Sequence, residues 1–158
     1  MALEGANRPQ WEKSMATDRF HLCSSCRYTK YGGLLFDSLV AIARSNPMEC
    51  PRCSSPMQLN IHFAYSFNAS GAECVVLDAF LPDNLDGWQD NLGRRVTHYP
   101  FLVITETAVH VKGAWLPYWH IVGSGNATTK KFGQWAPSMD LSTFAQLVEK
   151  AQAKGYLK

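Results

Sequence analysis

At 158 residues, 46% of them apolar and 18% charged, the chain has room for one compact domain, or for a small metal-stapled module joined to a modest core, and none for two large domains. Its 15 Lys and Arg against 13 Asp and Glu give a net charge of +2. Four thiolates around one divalent ion would add about −2 and bring the loaded protein close to neutral, so bulk charge argues for no polyanion partner. The opening Met1-Ala-Leu-Glu-Gly lacks the apolar core of a signal peptide, and no apolar run approaches the roughly 18 residues of a membrane span. A cytoplasmic protein with no membrane partner is the expectation, and the triplets at Asn68 and Asn126 are then chance matches to a glycosylation acceptor.

Residues 1–17 show no periodicity and carry Gly5, Pro9 and Ser14, which reads as a mobile tail with Trp11 as its only sizeable apolar group. Two C-x-x-C pairs follow, Cys23/Cys26 and Cys50/Cys53. In such a turn both sulfurs reach one ion while backbone N–H groups steady their charge, and two turns complete a tetrahedron. The expected ligand set is therefore Cys23, Cys26, Cys50 and Cys53 around one structural zinc ion; iron or free thiols fit the pattern less well. Four thiolates leave no vacancy for water, so such a site is scaffolding and activates no nucleophile. His21, two residues before Cys23, reads as a hydrogen-bonded surface histidine on the same strand face, and Cys74 as a small buried thiol.

The second pair, Cys50-Pro-Arg-Cys53-Ser-Ser-Pro-Met57, resembles the knuckle of the zinc-ribbon superfamily, in which C-P-x-C precedes a small residue and an apolar strand. At the first pair Arg27 stands where that family often has glycine, and the 23-residue spacer is longer than a plain hairpin ribbon. The resemblance covers residues 19–63 and implies metal-dependent folding and a binding role, with no reaction.

Within the spacer, Leu35, Leu39 and Ile42 recur at helical spacing from Gly33 to Ser45, before Asn46-Pro47 stops the run. From Met57 to Phe67, apolar residues alternate with polar ones, the period of a strand with one buried face. Cys74 to Leu81 is a shorter, more continuous apolar run, and Pro82 to Arg95 reads as a long loop. Aligned as a calcium loop, that stretch puts Pro82 and Gly93 where carboxylates are required, so it fails. Tyr99 to Val122 predicts two or three antiparallel strands, with breaks near Glu106, at Gly113 and at Pro117. Asp140 can cap a terminal helix whose stripe is Leu141, Phe144, Leu147, Val148 and Ala151, closed by Gly155 and Tyr156.

The predicted fold class is α+β. A mobile N-terminal tail (1–17) leads into a zinc ribbon-like module (18–58), joined to an antiparallel β-sheet packed by a C-terminal helix (59–158). No catalytic constellation assembles in the sequence, and Gly123-Ser-Gly-Asn126 is neither phosphate loop nor nucleophile elbow. The expected function is a non-enzymatic binding or adaptor module for a protein or nucleic acid partner. The alternative is an enzyme with a purely structural zinc, for which His62, His98, His110 and Asp78 are the residues to inspect. Basic residues near the zinc pairs (Arg19, Arg27, Lys30, Arg44, Arg52) are offset by Asp18, Asp37 and Glu49. Candidate partner-binding residues are Tyr118, His120, Lys130, Lys131 and Trp135. By alternation Trp115 and Trp119 face one way, Tyr118 and His120 the other, and one of the two pairs is expected at the surface.

Overall fold

The structure, a computed structural model, describes residues 16–63, 73–85, 87–124, 127–132 and 138–153. Two antiparallel sheets dominate it. The first has seven strands in the order β11-β8-β7-β4-β3-β1-β2, and the second has four, in the order β10-β9-β6-β5. In chain order these are β1 (Ala16–Cys23), β2 (Thr29–Tyr31), β3 (Met57–Phe63), β4 (Glu73–Phe80), β5 (Gly87–Gln89), β6 (Arg95–Pro100), β7 (Leu102–Thr107), β8 (Lys112–Trp115), β9 (Tyr118–Ser124), β10 (Ala127–Phe132) and β11 (Ser138–Asp140). Helix α1 (Leu35–Ala43) lies between β2 and β3 in sequence, and α2 (Leu141–Ala153) follows β11. Among the described residues no helix is long and apolar enough to cross a membrane.

The sheets share one long hairpin. Its arms run β6 into β7 and β8 into β9, with β7 pairing β8 in the first sheet and β6 pairing β9 in the second. Both arms bend at the same level. Pro100 and Pro117, which have no N–H to give a ladder, flank the bend, and the Phe101 N–H donates to the Pro117 carbonyl at 2.8 Å.

Helix α1 fills the angle so formed. Leu35, Phe36 and Leu39 enter a core with Leu59 and Ile61 from β3, Cys74, Val76 and Ala79 from β4, Val103 from β7, Trp115 from β8 and Trp119 from β9. Phe36 is the common contact, meeting Tyr99, Phe101 and Trp119 edge-on at ring separations of 5.1, 6.0 and 5.6 Å. Burial of this apolar face, at about 25 cal/mol per Å², is what joins helix to both sheets. Among the described residues, the helical side chains in this core come from α1. Helix α2 lies beside β8 and β11, with Phe144 and Val148 half-buried.

Several expectations need correction. The stretch 82–95 is not all loop, since Gly87–Gln89 pairs with Arg95–Thr97 as β5. Gly113 does not break a strand: it pairs Thr105 and Asp140 inside β8, and the turn lies instead at 108–111, where His110 adopts φ 61°. His110 is thus on a turn, 3.7 Å from Glu106. The run from Cys74 looked continuously apolar because β4 bulges between Val76 and Asp78; the extra residue switches the inward set from Cys74 and Val76 to Ala79. The tail expected at 1–17 and the helix stop at Gly155 and Tyr156 lie largely or wholly outside the described residues, although β1 begins at Ala16.

Candidate metal centre and the outer face of the second sheet

The two C-x-x-C turns are built alike. In the first, the Arg27 N–H donates to the Cys23 carbonyl at 2.9 Å and the Cys23 N–H to the Tyr28 carbonyl at 2.9 Å. In the second, the Ser54 N–H donates to Cys50 and the Cys50 N–H to Ser55, both at 2.8 Å. Each turn needs a left-handed residue directly after its second cysteine, and Arg27 (φ 62°) and Ser54 (φ 58°) supply it. This is the physical reason for glycine at that position in zinc ribbons, and here a side chain tolerates it. The knuckles also touch through Arg52, whose guanidinium lies 4.8 Å from the centre of the Tyr28 ring.

The four sulfurs converge. Cys23 Sγ is 3.4 Å from Cys53 Sγ and Cys26 Sγ 3.5 Å from Cys50 Sγ, and all four lie within 4.8 Å of one another. A tetrahedral ion with metal–sulfur bonds of about 2.3 Å sets its ligands about 3.8 Å apart, inside that range. The cluster can hold a metal ion and is consistent with a zinc-ribbon-like site. Cys23 and Cys50 are buried with Met57 beneath them. At Cys26 the Tyr28 backbone hydrogen bond lowers the pKa, but burial and the sulfurs of Cys50, Cys23 and Cys53 outweigh it and push it up to about 12. At Cys53 the Ser55 hydroxyl, the Ser55 backbone and the Cys23 sulfur bring it down to about 6. Four negative sulfurs at this spacing repel one another unless a cation lies between them, which fits a metal-binding donor set. The Arg52 N–H, 3.4 Å from Cys50 Sγ, supplies the backbone support expected of such a turn.

His21 is not a surface histidine. It is 3% exposed, its Nδ1 has no hydrogen-bond partner among the described residues, and burial, then Lys30 and Arg19, lowers its pKa. It pairs with Leu59 across β1 and β3 and lines a cavity of about 480 Å³ beneath α1, with Met57, Asp37 and Glu49 also in its walls. Cys74 is buried as expected, and burial, with Glu73, pushes its thiol up. The residues considered for catalysis sit on separate elements: His62 on β3, Asp78 at the β4 bulge, His98 on β6 and His110 on the β7–β8 turn.

The second sheet carries the other cluster. Register places His98 opposite His120, Pro100 opposite Tyr118, Trp88 opposite Val96 and Lys131 opposite His120, so these side chains share one face. Trp88 meets His120 at 5.1 Å and His98 at 6.5 Å; Tyr118 meets both histidines at 5.5 Å, and the histidines are 5.2 Å apart. Trp88 is 46% exposed, Lys131 exposed, and Tyr118, His98 and His120 half-buried, while Trp115 and Trp119 on the other parity are buried. Lys130 points the opposite way, to Asp37 Oδ1 at 2.6 Å and over the Phe36 ring at 4.9 Å. Trp135 lies outside the described residues. Trp88 and His98 were missed as partners of Tyr118 because three-residue β5 has no readable periodicity and the pairing of His98 with His120 is set by the long-range register of β6 and β9.

No family model matches the chain, and neither curated proteins nor solved structures show a match to it. The class that the fold and the cysteine cluster define is therefore a β-rich α+β protein with a candidate four-cysteine metal centre.

Proposed function

We propose that Cys23, Cys26, Cys50 and Cys53 hold one structural zinc ion in a zinc ribbon-like module spanning 18–58, and that the chain is a non-enzymatic binding module. The observation that carries this reading is the closure of the cysteine cluster: four thiols within 4.8 Å use all the positions of a tetrahedral ion and leave none for substrate. Thiolate donors of this softness suit zinc, and five free cysteines suit a reducing compartment such as the cytoplasm. The partner surface is the outer face of the second sheet, with Trp88, Tyr118, His120 and Lys131. Replacement of the metal by Co²⁺ tests the reading. A tetrathiolate spectrum that added azide or cyanate leaves unchanged, at about one metal per chain, is expected. A spectrum that shifts with the anion reveals an open coordination position and refutes the scaffold role.

A further inference from the structure

We infer that the outer face of the second sheet binds single-stranded nucleic acid, its rings stacking on bases and Lys131 meeting the backbone; this rests on reading the chain as a zinc-stapled binding module. Three observations point there. The rings extend across three adjacent strands, Trp88 on β5, His98 on β6 and Tyr118 with His120 on β9, at separations of 5.1 to 6.5 Å. A sheet surface of flat rings in a row is the platform on which splayed bases stack, and stacking is tolerant of sequence because every base has a π-face.

The charge around the rings is one-sided. Strands β5, β6, β9 and β10 contain no Asp or Glu, although the chain has 13; of their cations Lys131 lies on the ring face, while Lys130 is paired with Asp37 and Arg95, in register with Gln89, alternates to the other face. Lys131 stands in register with His120 on the ring face. The nearest acid in sequence among the described residues, Asp90 just after β5, is already engaged by Arg94, whose Nε donates to it at 2.8 Å. A polyanion approaching this face therefore meets Lys131, imidazoles and rings, and no carboxylate from its strands. The face is also open where it matters: Trp88, a ring large enough to seal a core, remains 46% exposed at the edge strand.

Trp88→Ala and Lys131→Ala remove exposed groups, so both variants should fold; Tyr31→Ala, which removes a 77% exposed ring from β2 on the first sheet, is the control. Zinc content and melting temperature are measured first on each protein. Labelled oligo-deoxythymidine and oligo-uridine of about a dozen nucleotides, and a duplex of equal length, are then titrated by fluorescence anisotropy at two salt concentrations. Single strands should bind in preference to duplex. Trp88→Ala should weaken binding roughly five- to a hundredfold, the range of one stacked base. Lys131→Ala should weaken it less and flatten the log–log salt slope by about 0.7. Tyr31→Ala should change neither. Zinc-loaded, folded protein that binds no single strand, or binds it with Trp88→Ala and wild type alike, overturns the inference and leaves the zinc scaffold standing. A dimer that Trp88→Ala splits would make the face a self-interface and overturn it as well. Purified protein without zinc strikes the underlying reading, and does so before any oligonucleotide is added.

Discussion

Phe36→Ala isolates the contact through which α1 joins the two sheets. The ring is 9% exposed and touches Tyr99, Phe101 and Trp119, so nearly the whole side chain is lost from the core. Truncation of a buried phenylalanine costs about 3–5 kcal/mol, and edge-on ring pairs worth about 0.5–1.5 kcal/mol each place this site toward the upper end. With an unfolding entropy of about 2.1 cal/mol/K per residue, a chain of 158 residues should melt about 10–15 °C lower. Circular dichroism melts and urea titrations of the zinc-loaded protein measure it, and Phe36→Leu should recover more than half the loss. There is a second readout. Since α1 is the only helix between the two cysteine pairs, its unseating should also weaken zinc retention against a chromophoric chelator. A loss below about 1 kcal/mol would show that α1 is not wedged between the sheets, and the account of the core would fail.

Chelation, or Cys50→Ser, should abolish the cooperative transition, whereas Cys74→Ser should keep one zinc per chain and cost only packing; zinc retained in Cys50→Ser would refute the ligand set. Arg27→Gly should leave zinc content unchanged and alter stability by less than about 1 kcal/mol, because relief of the left-handed residue offsets the added freedom of the unfolded chain; a large loss would mean that the Arg27 side chain has a structural role. Burial, then His98 and Lys131, lowers the pKa of His120 from 6.5, so the folded state binds fewer protons than the unfolded chain. That contribution is complete above about pH 6.5 and is lost as pH falls from there toward the folded value. Wild type should therefore lose more stability than His120→Gln between about pH 7 and 5, and parallel profiles would remove His120 from the account.

What could be read in the sequence was local. The C-x-x-C spacing located the sulfur cluster because a knuckle is closed by hydrogen bonds within six residues, such as Cys50 to Ser55. Alternation located β3, and the spacing of Leu35 and Leu39 located α1, because each element gathers its apolar residues on one face, although Asn60 on the other face of β3 is buried too. The rest failed where tertiary pairing overrode local signals. Val109 and Val111 are apolar yet 77% and 41% exposed in a turn, while Gly113, a turn residue by composition, is held in a strand by partners on both sides. Strand β5 exists only through its pairing with β6. His21 was misplaced because its polarity suggested solvent, whereas its register opposite Leu59 puts it inside.

The position of the cysteine cluster suits the structural role proposed for its metal. Cys23 ends β1, Met57 begins β3, and the two face each other at the closed end of the β1–β3 ladder. A slip of one residue there would turn Leu59 and Ile61 from the core to the opposite face, so an ion gripping Cys23 on one side and Cys50 and Cys53 on the other fixes register as well as adding stability. That register seats α1, which the same knuckles tether at both ends, and α1 carries it through Phe36 to Trp119 on the second sheet. Alternation then puts Trp119 and Phe132 toward α1 and Tyr118, His120 and Lys131 on the far side. Among the described residues, the cysteine cluster and the proposed partner face are thus connected through packed core. Removal of zinc should accordingly abolish binding together with the folded state, in one transition; graded loss of affinity in a protein that stays folded would require a more direct coupling than this core provides.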